Sequence, residues 1–215
     1  MMKRFFTLLA VVMVAFVGIH AQQAELKKAA VNRYKNVSTL TAHVTMTQHN
    51  AALAKDAVNK GEFYYKTPNS ESMVFTSTKD MLLAVGNTYT MVKGGKQRSI
   101  KANATGNNPF EVLRDIFTNL FTASGNANLT KMATVQMQKK GNTCTMTVTP
   151  NVTDSKAKRR MMYTSCVVTI DMKNAEIKTL RINERGSNYT QYDFSGYVLN
   201  GAVNDNVFST KIVKK

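Results

Sequence analysis

From residue 38 the chain keeps a two-residue period. Leu40, Ala42, Val44 and Met46 alternate with Thr39, Thr41, His43, Thr45 and Thr47. Threonine and valine on a pleat with one apolar side predict a half-buried strand. The Ala-rich, charged stretch 50–60 reads as a loop or a hairpin extension. Gly61 to Lys66 restarts a strand through Phe63, Tyr64 and Tyr65, and Pro68-Asn69 breaks it. Short strands follow at 73–77, 81–85, 88–92 and 97–102. Gly86-Asn87 and Gly94-Gly95 mark tight turns between them. After residue 128 the pattern resumes with strands at 129–138, 143–149, 162–172, 177–185, 188–197 and 206–211.

Two segments break the two-residue period. Over 22–36 the residues Leu26, Ala29, Ala30, Arg33, Tyr34 and Val37 recur at three- and four-residue steps, which predicts a helix with one face that packs. Asn108-Pro109-Phe110-Glu111 carries a helix start: a capping side chain, a proline at the first helical position and a glutamate that completes a capping box. Phe110, Leu113, Phe117, Leu120 and Phe121 then form one apolar stripe, widened by Ile116, and Gly125 lies past its end. The chain is therefore mainly β (α+β): one antiparallel sheet of about ten or eleven strands with two or three helices. A sheet of that size must curl, and its helices are expected to fill the concave side.

The N-terminus changes where this domain is expected to work. Lys3 and Arg4 precede an apolar run from Phe5 to Ile19, and Ile19-His20-Ala21 offers a small-residue cut site. That order is the order of a secretory signal peptide, and the apolar run is too short to span a bilayer. Residues 1–21 are thus expected to be removed, leaving 22–215 as one soluble domain in the periplasm. Formal net charge is +16 over the 215 residues. Lys3 and Arg4 supply little of it. Export argues against nucleic acid as the partner of so basic a chain, and leaves acidic proteins or anionic headgroups.

Candidate chemistry is sparse. No glycine-rich phosphate loop, G-x-S-x-G or H-E-x-x-H is present. His43 and His49 share a strand face without a neighbouring carboxylate or cysteine in sequence, and the carboxylates are scattered, so no enzyme and no metal site is expected. Two cysteines in an exported chain invite a disulfide. A hairpin centred at residue 155 would set Cys144 opposite Cys166. The run Lys156, Lys158, Arg159 and Arg160 between those strands is either a solvated tip or a docking patch for an anionic surface or acidic partner. The chain holds 13 Met and no Trp, with Met1, Met2 and Met13 before the cut site. Methionines fill irregular cores and also adapt to variable apolar partners.

Three segments carry a family resemblance. Gly61-Glu62-Phe63-Tyr64-Tyr65-Lys66-Thr67-Pro68-Asn69, Ala104-Thr105-Gly106-Asn107-Asn108-Pro109-Phe110, and Asn200-Gly201-Ala202-Val203-Asn204 followed by Phe208 resemble, in order and spacing, the periplasmic outer-membrane lipoprotein carriers, the LolA-like family. The resemblance implies an incomplete antiparallel β-barrel covered by helices, whose interior shelters lipoprotein acyl chains. It implies a monomeric carrier without cofactor that takes cargo from an inner-membrane lipoprotein export complex to an outer-membrane receptor. An envelope lipid sensor on the same fold is the alternative. Expected wall residues are Met46, Phe63, Tyr65, Phe75, Leu83, Tyr89 and Met91, although alternation alone leaves open which pleat faces inward. The helix carrying Phe110, Leu113, Phe117, Leu120 and Phe121 is the expected lid. Lys66, Thr67 and Pro68 form the expected latch region. The family commonly has Arg where this chain has Thr67, and Trp where it has Met73-Val74-Phe75. Lys66 is expected to point to the opposite face of the strand.

Overall fold

A computed structural model describes residues 24–101, 133–161 and 163–213. Eleven antiparallel strands form one sheet. The first six are β1 (Thr39–His49), β2 (Ala57–Lys66), β3 (Ser70–Phe75), β4 (Asp80–Val85), β5 (Thr88–Lys93) and β6 (Lys96–Lys101). The other five are β7 (Ala133–Lys140), β8 (Thr143–Pro150), β9 (Ser165–Asp171), β10 (Glu176–Asn183) and β11 (Tyr189–Leu199). The spatial order is β6-β5-β4-β3-β2-β1-β11-β10-β9-β8-β7. Two meanders are thus joined along a β1–β11 seam, where Val44 faces Phe194 and Met46 faces Tyr192.

The turns form where glycine permits them. Val85 pairs with Thr88 across Gly86-Asn87, and Lys93 with Lys96 across Gly94-Gly95. Gly86, Gly94 and Gly95 all take positive φ, the conformation that two-residue hairpin turns demand.

The sheet curls, and the aromatic rings measure the curl. β3 and β11 are separated by two strands, which is about 14 Å in a flat sheet. The rings of Phe75 and Tyr192 nevertheless lie 6.4 Å apart. Phe63 meets Phe194 edge-on at 5.8 Å with β1 between them. The face carrying these rings is therefore concave. It holds the main core, which runs from Met73 and Phe75 through Leu40, Val44 and Phe194 to Leu180, Val168, Ile170 and Val148.

Helix α1, over 24–34, packs on one end of that core through Ala30 and Tyr34, with Leu26, Ala29 and Val37 partly buried beside them. This is the predicted apolar face. Tyr34 donates to the Ala175 carbonyl at 3.0 Å, Arg33 pairs with Glu176, and Lys139 reaches Glu25 at 2.6 Å. A second helix, α2 (Ser155–Arg160), lies between β8 and β9. Among the described residues only α1 packs on the core, so the expected cover of two or three helices is not borne out there. The predicted helix carrying Phe110 to Phe121 lies outside the described residues.

Two expectations need correction. The predicted closing strand 206–211 is instead a pair of short 3-10 turns, Asp205–Phe208 and Thr210–Val213. Asn204 caps the first by accepting from the Asn206 amide, which commits the backbone to turning before a strand could form. Val213 and Ile212 then cover the convex side of β3, β4 and β5, where Val74, Met81 and Val92 make a second, smaller core.

The predicted disulfide between Cys144 and Cys166 is absent: both cysteines are free and buried. Cys144 faces Ile170 and Cys166 faces Val148. The ladder is centred at residue 157 (midway between 144 and 170), because the connection contains α2 and is not a symmetric hairpin. Four residues of offset put the thiols about 13 Å apart along the ladder, well beyond disulfide reach.

Candidate functional site: the concave face

The concave face is apolar from one meander to the other. On the first, strand alternation places Met46, Phe63, Tyr65 and Phe75 in the main core. Tyr89 faces Ala84, and Met91 faces Leu82, a partly buried neighbour of that core. Six of the seven expected wall residues therefore share one face. Leu83 does not. It is the odd neighbour of Leu82 and Ala84, so it points outward and packs with Ile212 and Val213 under the C-terminal turns. The expected lid residues Phe110, Leu113, Phe117, Leu120 and Phe121 lie outside the described residues.

The second meander supplies wall residues that the sequence reading passed over. Tyr192 and Phe194 are buried on β11 opposite Met46 and Val44. The signal was present, since Thr190, Tyr192 and Phe194 alternate as clearly as Leu40 to Met46. Met73 and Met146 also line this core, and place flexible thioethers on both halves of the wall.

Close packing of Phe75 depends on one position. Gly61 faces inward on β2, and a Cβ there would strike the Val74 carbonyl and stand 2.5 Å from the Phe75 ring. Glycine lets β2 pass directly under that ring.

Electrostatics on this face favour neutral groups. Burial pushes the Tyr192 phenol well above its ordinary range. Burial, reinforced by the Glu71 carboxylate opposite on β3, raises that of Tyr65. Glu71 is the buried acid among the described residues. Burial also drives the Cys166 thiol up to about 12 and raises that of Cys144, which leaves both unreactive. No group of His, Cys, Asp and Glu among the described residues is arranged to hold a metal.

The residues of the expected latch region contact the C-terminal turns and Ser38. Lys66 lies on the outward pleat, as its strand position predicts, and binds Asp205 of the C-terminal turns at 2.5 Å. Thr67 donates its amide to the Ser38 carbonyl at 2.9 Å, and the Thr67-Pro68 peptide is cis. Both histidines pair with carboxylates brought from β2 and its approach: His43 with Glu62 at 2.9 Å and His49 with Asp56 at 2.7 Å. Away from the C-terminal turns, the convex face carries polar and charged side chains, among them Thr45, Thr47, Gln191 and Asp193.

A curled antiparallel sheet with a buried apolar concave side defines the half-barrel class of proteins. Within that class the chain belongs to the LolA family, described as outer membrane lipoprotein carrier proteins; the family model matches residues 35–211. Comparison with curated proteins finds no match.

Solved structures with a similar course include a DUF1329 family protein from Desulfovibrio piger. It shares 10% identity with a TM-score of 0.48, over 90% of this chain and 98% of that one. A LolA superfamily protein from Nitrosomonas europaea shares 11% identity with a TM-score of 0.41, over 87% and 96%. The lipoprotein LppX of Mycobacterium tuberculosis shares 15% identity with a TM-score of 0.41, over 86% and 97%.

Proposed function

We propose that the protein is a periplasmic carrier, processed after Ala21, that holds the acyl chains of lipoproteins against its concave face and moves them from an inner-membrane export complex to an outer-membrane receptor. It works by binding, without catalysis or cofactor. One observation carries the reading: a continuous apolar concavity that crosses the β1–β11 seam, with Phe75 and Tyr192 reaching 6.4 Å across it.

Enclosing an acyl chain gains about 0.8 kcal/mol per CH₂. A carrier must also let go, so a wall that can rearrange is better suited than a rigid one. Met46, Met73, Met91 and Met146 provide that compliance.

Native mass spectrometry with lipid extraction, on protein purified from the periplasm, tests the reading. Co-purifying acylated lipoprotein supports it. Free phospholipid or fatty acid alone redirects it to lipid sensing on the same fold. Protein that stays empty and takes up no added acyl ligand overturns it.

A further inference from the structure

One end of the half-barrel carries an apolar tip that nothing in the fold uses. The β1–β2 connection contains Ala51, Ala52, Leu53 and Ala54, all exposed, and Leu53 retains 63% of its accessible surface. Exposed leucines are common, but this one is held out by structure. The Leu53 amide donates to the Asn50 carbonyl at 2.8 Å, and the Ala52 amide to Asn50 Oδ1 at 3.0 Å. The Ala51 amide donates to Asn188 Oδ1 at 2.9 Å. His49 and Asp56 close the base of the loop at 2.7 Å, and the His49 ring stacks on Tyr189 at 4.7 Å.

The same bonds set the tip beside a basic shelf. Asn188 belongs to the β10–β11 turn, which also carries Arg185, and Arg185 donates to the Lys158 carbonyl of α2. A continuous run therefore passes from Leu53 and Lys55 through Arg185 to Lys156, Lys158 and Arg159, every one exposed. Two acids of this end are engaged by neighbours: Asp56, itself exposed, pairs with His49, and Glu184 accepts from Thr190 at 3.1 Å. Asp154 is exposed beside the shelf.

We infer that this end docks on an anionic phospholipid bilayer, with Leu53 entering the headgroup boundary and the shelf lying on the phosphates. An acidic protein would be served by the cations alone. An ordered aliphatic tip next to them fits a surface that is charged outside and apolar beneath. The inference goes beyond the carrier reading and is independent of the cargo.

Vesicle flotation of the purified protein is the test, with phosphatidylcholine alone or mixed with phosphatidylglycerol. Flotation is expected with the anionic vesicles only, and weakens as salt rises. Each basic residue near an anionic surface strengthens binding about fivefold. Reversing Lys156, Lys158 and Arg159 to Glu together should therefore abolish flotation, and Leu53→Asp should weaken it about tenfold. Lys173→Glu, on the β9–β10 turn at the opposite end, should leave it unchanged. Circular dichroism and uptake of a fluorescent fatty acid report whether each variant is folded and whether its hollow works, so a failed hollow and a failed docking surface give different results. No flotation with anionic vesicles would overturn the inference and leave an acidic protein as the partner of the shelf. Equal loss from Lys173→Glu, or none from the shelf and Leu53 variants, would overturn it as well.

Discussion

Gly61 is where the geometry of the hollow rests on a missing side chain, and Gly61→Ala tests that directly. The added Cβ would meet the Val74 carbonyl, which belongs to the β2–β3 ladder and cannot yield, and would stand 2.5 Å and 2.8 Å from two atoms of the Phe75 ring. Overpacking of this kind costs about 1–3 kcal/mol. For a domain of this size each kcal/mol lowers Tm by roughly 2–4 °C, so the variant should melt about 2–12 °C below the parent. The ring must also shift relative to Tyr192, now 6.4 Å away, so binding of a fluorescent fatty acid should change with stability.

A double-mutant cycle separates causes. Phe75→Ala by itself should cost about 3–5 kcal/mol. It also removes the ring that the alanine at 61 would strike. The two losses should then combine to less than additivity by about 1 kcal/mol, because the carbonyl contact alone remains. Urea unfolding monitored by circular dichroism gives both quantities. A neutral Gly61→Ala, or strictly additive losses, would refute the reasoning that this glycine exists to seat Phe75.

Two further outcomes follow from buried groups. The Tyr34 phenol is pushed up to about 12, chiefly by burial. Its folded value therefore exceeds its unfolded value of about 10, so its contribution of roughly 2–3 kcal/mol is complete below pH 10 and is lost as pH rises towards 12. Tyr34→Phe also lacks the 3.0 Å bond to Ala175 and should be less stable by about 1 kcal/mol at pH 8. The gap to the parent should narrow in urea titrations between those pH values, and parallel curves would contradict the assignment. Cys144 and Cys166 should both react with a thiol reagent after unfolding and neither before it, in protein prepared without reductant. A bridge between them in the native protein would show that the β8–β9 register is wrong.

Much of this architecture is legible in the residues, and the limits are physical. The β1 alternation and the hairpins at Gly86-Asn87 and Gly94-Gly95 are local signals, and the structure keeps them. Tyr192 and Phe194 follow the same local rule on β11. Leu83 is a different case. Alternation tells Leu82 from Leu83, but both sides of β4 are covered, one by the main core and the other by the C-terminal turns. Local pattern therefore cannot say which side is the hollow. The cysteine register needed the geometry of a connection that folds into α2, and an assumed symmetric hairpin shifted it by four residues. The carboxylate partners of His43 and His49 come from pairing across strands and sit 19 and 7 positions away in the chain. The segment predicted as a lid helix carries strong start signals in sequence but lies outside the described residues.

The seam between β1 and β11 also governs when the protein can exist as such. It joins Leu40 to Leu199 and is fastened by Ser38 and Asn200, which lie 162 positions apart. During synthesis the first meander precedes β11 by many residues, and until that last strand arrives its β1 edge lacks a partner and its apolar face lacks the other half of the core. The apolar face that forms the core of the finished sheet makes the unfinished one prone to stick to other chains. An emerging chain of this design depends on rapid delivery of its final segment, or on a chaperone that holds it until then.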